Sequence, residues 1–181
     1  MKKQIFWLVL FLALVATACK KKADPEPDLP PETQSGANTF GCLVNGKAVL
    51  PNCNFPNCPP PIEGFYDSQP NGQFGIVCTY DGGKQKIIIW LDSIFTYKNY
   101  IINDSINKNV KVSMLNENVP VNCEWVGYIG ALSNFKKITG NVNLSRVDVP
   151  NGIFSGIFNF IIKTKECGNY EVANGRFDYK F

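Results

Sequence analysis

Short runs of β-branched and aromatic residues, separated by glycine-containing turns, are the feature of this sequence that most restricts its fold. The turn signals combine Gly with Asn, Asp or Pro and are NGK at 45–47, QPNGQ at 69–73, DGGK at 81–84, TGN at 139–141, PNG at 150–152, CGN at 167–169 and NGR at 174–176. Glycine supplies the positive φ that tight hairpins require, and Asn or Asp tolerates it. The pattern predicts an all-β domain, an antiparallel β-sandwich or flattened β-barrel of about eight strands.

Two hairpins stand out within this pattern. In GQFGIVCTYDGGKQKIIIWLDSI, residues 81–83 fold one strand back on the next, and residues 87–91 are apolar on both faces, which predicts a central strand. In TGNVNLSRVDVPNGIFSGIFNFIIKT, the alternation of Asn141, Asn143 and Ser145 indicates a face turned to water. A last strand is predicted in YEVANGRFDYKF, with one face formed by Phe177, Tyr179 and Phe181 and the other by Arg176, Asp178 and Lys180.

The N-terminus has the layout of a secretory signal. Lys2 and Lys3 precede an uncharged apolar run from residue 5 to residue 18, which ends in small residues. A membrane-spanning helix needs about 20 apolar residues, and three lysines at 20–22 end this run earlier. Residues 1–18 are therefore predicted to be a lipoprotein signal peptide.

Cys19 follows Ala16, Thr17 and Ala18, a pattern that resembles a bacterial lipobox. The resemblance implies that the Cys19 thiol carries lipid and that the lipid membrane is a partner through this acylated residue. An ordinary cleaved signal and a buried cysteine remain alternatives. The following segment, rich in Pro and acidic residues, predicts a disordered tether over 19–38, and 39–181 is long enough for a single β domain.

Six cysteines besides Cys19 give an even number in a chain expected to be exported, where disulfides are favoured. Sequence alone does not choose among the pairings that six cysteines allow. The expected pairs are Cys53 with Cys58 across CNFPNC, Cys42 with Cys167, and Cys78 with Cys123. A metal site is not expected, because the chain has no CxxC pair and no histidine to complete a zinc site.

The lack of histidine also excludes Ser-His-Asp and Cys-His mechanisms. Lys and Arg number 18 against 15 Asp and Glu, so no strong charge directs the chain to nucleic acid. Neither a calcium loop nor a phosphate-binding glycine motif occurs. We therefore expect a non-enzymatic domain without a cofactor. The alternative is a carboxylate-dependent glycan hydrolase using Asp92 and Glu124, each next to a tryptophan in a strand-like run.

Aromatic residues supply the candidate ligand-binding positions, namely Trp90, Trp125 and Tyr128. Flat rings on a β-surface stack on sugars or peptides, although a filled core also requires such residues. The expected partner is an envelope protein, a peptide or a glycan, and these three are not distinguished by the sequence. A further alternative is a purely structural subunit that docks on another envelope protein.

At PPETQSGANTFGCLVNGKAVLP and GIFSGIFNFIIKTKECGNYEVANGRFDYKF, the chain resembles a family of uncharacterised lipoproteins from Bacteroidota. The family shares a signal peptide, a TFGC-VNG opening strand and closing strands with the pattern SGxFxF followed by GRFD. The resemblance covers the two ends of the chain and implies a β-fold lipoprotein, lipid-anchored in the bacterial outer membrane on its periplasmic or surface side. It carries no activity and no binding residues.

Overall fold

The computed structural model describes residues 28–68, 70–96, 98–103, 109–116, 125–126 and 135–181, and at 125, 126, 135 and 136 it describes the backbone alone. These residues form eleven strands and one 3-10 turn at Asp81–Gly83. The strands are β1 (Thr39–Val44), β2 (Lys47–Val49), β3 (Ile62–Asp67), β4 (Gln73–Tyr80), β5 (Gln85–Asp92), β6 (Asn99–Ile102), β7 (Val110–Asn116), β8 (Trp125–Val126), β9 (Phe135–Asp148), β10 (Ile153–Thr164) and β11 (Asn169–Lys180). The predicted all-β class is confirmed, with additional short strands such as β2 and β8.

The strands form two antiparallel sheets that pack as a sandwich. One sheet has six strands in the order β2-β1-β11-β10-β9-β6, and the other has five in the order β3-β4-β5-β7-β8. The ring of Phe74 in β4 stacks on Phe154 of β10 and Phe177 of β11, with centroid distances of 4.8 and 5.6 Å. All three rings are buried, so aromatic packing fills the space between the sheets. The sandwich is adopted rather than the flattened barrel.

Both predicted hairpins are present. The Asp81–Gly83 turn joins β4 to β5, with positive φ at Asp81 and Gly82. β5 lies third in the five-stranded sheet, between β4 and β7, which confirms the predicted central strand. In the β9–β10 hairpin the residues predicted to face water, Asn141, Asn143 and Ser145, are exposed, while Phe158, Phe160 and Ile162 are buried.

Two of the predicted turns are wrong, because they lie inside long strands. Gly140 is in the middle of β9, where an added Cβ would lie 2.2 Å from the Asn159 carbonyl oxygen. Gly175 lies in β11 under the Phe158 ring, and its neighbour Asn174 has a φ of 51° at a register shift between β10 and β11. Here glycine permits close approach and a bulge rather than a chain reversal.

The described end of the predicted tether, residues 28–38, lies against the domain. Arg146 donates a hydrogen bond to the Gln34 carbonyl, and Nη1 of Arg176 donates to the Pro30 carbonyl at 3.2 Å. A Cβ on Gly41 would meet the Pro30 ring at 2.4 Å, so the proline packs directly on β1. The contacts of the domain therefore begin at about Pro30, whereas the composition placed the boundary after residue 38.

Asp178 is the main attachment point for this segment. Its carboxylate accepts hydrogen bonds from the Thr33 hydroxyl at 2.7 Å and from the backbone N–H groups of Ser35, Gly36 and Ala37 at 2.8 to 3.1 Å. The sequence grouped Asp178 with the face opposite the aromatic residues, and it does alternate with buried Phe177, but only 1% of its surface is exposed. The N-terminal segment covers the outer face of the six-stranded sheet at this position.

Candidate functional site

An aromatic pair lies on the outer face of the five-stranded sheet, away from the core. Alternation along β3, β4 and β5 places Phe65, Gly75 and Trp90 on this face. The three residues form one row across the sheet, because Phe65 pairs with Gly75 and Gly75 pairs with Trp90. We call this row the aromatic platform.

The two rings of the platform are close and nearly parallel. Their centroids are 5.0 Å apart and their planes differ by 20°. A Cβ at Gly75 would lie 2.6 Å from the Trp90 indole, so the missing side chain lets the indole lean over β4 toward Phe65. Phe65 is 46% exposed, and Trp90 is half-buried. The platform is therefore held from below by the sheet and remains accessible from solvent.

A groove of about 500 Å³ runs beside the platform, within the roughly 300 to 1,000 Å³ typical of small-molecule sites. Its lining is mostly apolar, and the one charged residue among the described lining is Glu63. The lining residues are Pro60, Ile62, Glu63, Gly64, Phe65, Gly75, Ile76, Val77, Ile88, Trp90 and Tyr179.

Polar groups lie in the neighbouring row of the same face. Asp67 pairs with Gln73, and Gln73 pairs with Asp92. Each of these residues is two positions along its strand from a platform residue, a separation of about 7 Å. Oδ1 of Asp92 is buried and has no hydrogen-bond partner among the residues that the structure describes. The face combines aromatic rings with carboxylate and amide groups.

Of the ligand-binding residues predicted from the sequence, Trp90 belongs to this site. Trp125 lies in β8, where the backbone alone is described, and Tyr128 lies outside the described residues. Glu124, which the hydrolase alternative pairs with Asp92, also lies outside them. Sequence reasoning missed Phe65, although its alternation with Glu63 and Asp67 indicated an exposed position.

The cysteines differ from the expected pairing. Cys53 and Cys58 are disulfide-bonded as predicted, with Cα atoms 6.1 Å apart. Cys42 and Cys78 are buried free thiols, and Cys167 is disulfide-bonded, so the expected pairs Cys42 with Cys167 and Cys78 with Cys123 are wrong. Cys42 points from β1 into the core between the sheets, whereas Cys167 belongs to the β10–β11 loop, where its N–H donates to the Thr164 hydroxyl. Cys19 and Cys123 lie outside the described residues.

A second depression, of about 1080 Å³, lies between residues 44–54 and the turn that joins β4 to β5. Its wall includes Tyr80, Asp81 and Gln85, but Gln85 already donates a hydrogen bond to the Asp81 carboxylate at 2.9 Å. It has no aromatic pair comparable to the platform among its described residues, so we regard the platform as the better candidate. No group of three His, Cys, Asp or Glu side chains that could hold a metal occurs among the residues the structure describes.

The chain matches no protein-family model, and comparisons with curated proteins and with solved structures returned no significant match. The resemblance to Bacteroidota lipoproteins therefore stays a prediction from the sequence. Within the described ranges, no helix is both long and apolar enough to cross a membrane.

Proposed function

We propose that this protein is a membrane-tethered, non-enzymatic binding domain whose ligand is a neutral glycan. The observation that carries the proposal is the Phe65–Trp90 pair on a sheet face, two stacked rings of which Phe65 is exposed and Trp90 half-buried. Aromatic side chains lose little conformational entropy when they bind a ligand. They also present large flat faces, on which the C–H face of a sugar ring stacks.

The groups around the platform favour a sugar over an apolar ligand. Asp67, Gln73 and Asp92 form a row of acceptors and donors beside the rings, as the hydroxyl groups of a sugar require. Three carboxylates, of Glu63, Asp67 and Asp92, lie near the platform. One lysine, Lys111, pairs with Trp90 of the platform, so negative charge is in excess. Such a surface repels sulfated or carboxylated sugars and leaves neutral ones as the preferred class.

The position of the N-terminal segment supports binding in the tethered state. Residues 30–37 contact the outer side of the six-stranded sheet through Arg176 and Asp178, while the platform is on the outer side of the five-stranded sheet. A chain anchored through acylated Cys19 would therefore leave the platform unobstructed. We place the protein at the bacterial outer membrane, with its lipid at Cys19.

A glycan array with the unlipidated chain, residues 20–181, tests the proposal. This fragment keeps Thr33 and Ser35, which a shorter one would lose from the Asp178 site. We expect saturable binding to a neutral glycan, and at least a tenfold loss of affinity in Trp90→Ala. The matched control is Ile101→Ala, which truncates a side chain 61% exposed on the other sheet and should bind normally.

Three outcomes would contradict the proposal. The first is no binding to any glycan, and the second is binding that Trp90→Ala leaves unchanged. The third is a wild-type chain that binds no glycan but captures an envelope protein, which Trp90→Ala no longer captures. That result would assign the platform to a docking subunit. Release of reducing sugar from a bound glycan would keep the ligand class but replace the non-enzymatic part of the proposal with a hydrolase.

A further inference from the structure

The two free thiols among the described cysteines, Cys42 and Cys78, occupy one core. Cys42 projects from β1 of the six-stranded sheet and Cys78 from β4 of the five-stranded sheet. Neither has any exposed surface, with relative exposures of 0%, and both belong to the same cluster of buried residues. They therefore enter the core from opposite sheets.

The chain between them brings the two positions together. Cys42 pairs with Val49 across β1 and β2. Shortly after Val49, the N–H of Asn52 donates to the Thr79 carbonyl at 2.9 Å, next to Cys78. This bond fastens the end of the six-stranded sheet to β4. Burial raises the pKa of the Cys78 thiol, and the neighbouring Cys42 raises it further, as expected of side chains that are close together.

Tyr80 belongs to the same buried cluster as the two thiols. Burial raises the pKa of its hydroxyl, and the thiols of Cys42 and Cys78 both raise it further. Tyr80 is the next inward residue of β4 after Cys78. Cys42 enters this cluster from the six-stranded sheet, whereas Cys78 and Tyr80 enter it from the five-stranded sheet.

We infer that Cys42 and Cys78 form a disulfide that joins the two sheets when the chain folds in an oxidising compartment. The inference rests on the proposed export of the chain but not on glycan binding. The oxidant is a disulfide-donating oxidase of the envelope. One cysteine thiolate attacks the oxidase disulfide and forms a mixed disulfide with the oxidase. The second thiolate attacks the sulfur of the first cysteine and displaces the oxidase, which leaves with two electrons and two protons as a dithiol.

The bond has to form before the sheets close over it. Burial raises the pKa of the Cys42 thiol to about 12, and the thiolate is the form that attacks a disulfide. In the folded, reduced protein the thiols are therefore nearly inert as well as inaccessible to an oxidase. Cys53 and Cys58, which are only half-buried, have no such restriction.

Peptide mapping of the full chain tests the inference. The protein is produced with its own signal, recovered from the envelope, alkylated in denaturant without reductant, and digested. We expect a cross-linked Cys42–Cys78 peptide. We also expect the variant carrying Cys42→Ala and Cys78→Ala to fold with a Tm lower by about 10 °C, because closing this long loop restricts the unfolded chain.

Alkylated Cys42 and Cys78 in a sample whose Cys53–Cys58 bond is intact would overturn the disulfide and leave export standing. Alkylation of all four would overturn both. A second measurement follows the order of oxidation. The protein is folded under reductant and then given oxidised glutathione. We expect the Cys53–Cys58 bond to form at least tenfold faster than the Cys42–Cys78 bond. Equal rates would contradict the inference that the Cys42–Cys78 bond forms before the sheets close.

Discussion

The Ser155 hydroxyl donates a hydrogen bond of 2.6 Å to Oδ1 of Asp178, across the β10–β11 pair. The same carboxylate accepts from Thr33, Ser35, Gly36 and Ala37. Asp178 thus joins the last two strands to the segment that precedes β1. Because these bonds are all accepted by one buried carboxylate, this site links the tether to the domain.

Asp178→Asn should destabilise the protein by about 3 kcal/mol. The amide NH₂ group of asparagine would face donors such as Ser155 or Ala37 and leave them unsatisfied in a buried site. Urea unfolding at pH 7 measures the change. Thr33→Ala, which removes a single donor, is the matched control and should lose about 1 kcal/mol. An Asp178→Asn variant as stable as the wild type would refute this role.

Asp178 should also contribute to acid sensitivity. Burial raises the pKa of its carboxyl, but hydrogen bonds from Ser155, Thr33, Ala37 and Gly36 outweigh burial and bring the net pKa well below its ordinary value. As the pH falls, the carboxyl therefore binds a proton first in the unfolded chain, where its pKa is about 3.9. Its stabilising contribution is complete above about pH 5 and is lost as the pH falls through about 4 toward the folded pKa.

Urea midpoints between pH 6 and pH 3 measure this contribution. The decrease in stability over that range should be smaller in Asp178→Asn than in the wild type. Glu166→Gln, which changes an exposed carboxylate, should retain the wild-type slope. Parallel slopes for the wild type and Asp178→Asn would exclude Asp178 as a source of the acid sensitivity.

Gly75→Val should disrupt the aromatic platform without unfolding the sheet. Its Cβ would lie 2.6 Å from the Trp90 ring, so the indole has to move away from Phe65, while valine itself suits a strand. We expect a red shift in tryptophan emission and a loss of glycan binding comparable to that of Trp90→Ala. Gln73→Ala, on the same strand face, should leave the emission unchanged.

The Cys53–Cys58 bond should stabilise the protein less than a bond across the core. It closes a loop with a sequence separation of 5, for which chain entropy gives about 2 kcal/mol, against about 4 kcal/mol for a loop from Cys42 to Cys78. Replacing Cys53 and Cys58 with serine should also release Phe55, whose ring packs on Gly83. Thermal unfolding compares this variant with the variant carrying Cys42→Ala and Cys78→Ala, which should have the lower Tm. A lower Tm for the variant without Cys53 and Cys58 would contradict the prediction.

Phe74→Ala should be among the most destabilising single substitutions in the core. The ring is fully buried and stacks on Phe154 and Phe177 of the opposite sheet, so its removal leaves a cavity and costs about 3 to 5 kcal/mol. Ile161→Ala, on the exposed side of β10, should change stability by less than about 1 kcal/mol. Similar losses in both variants would contradict the assignment of the core.

The sequence by itself determined the all-β class, the two main hairpins and the central position of β5. These features follow from local patterns, because alternation of apolar residues and turn-forming glycines act within a few residues of each other. The same local signals misassigned Gly140 and Gly175 as turns. A glycine that permits a bulge or a close approach has the same sequence signature as one that reverses the chain.

Only the tertiary structure decided which distant residues meet. Cys42 lies in the core with Cys78 and not in the loop of Cys167, because β1 pairs with β11 in one sheet and directs Cys42 into the core that it shares with β4 of the other sheet. Asp178 lies on the strand face opposite Phe177 as predicted, yet it is buried, because a segment distant in sequence covers it. Phe65 joins Trp90 because the register aligns both with Gly75. Each outcome depends on the order and register of strands, which local propensity does not specify.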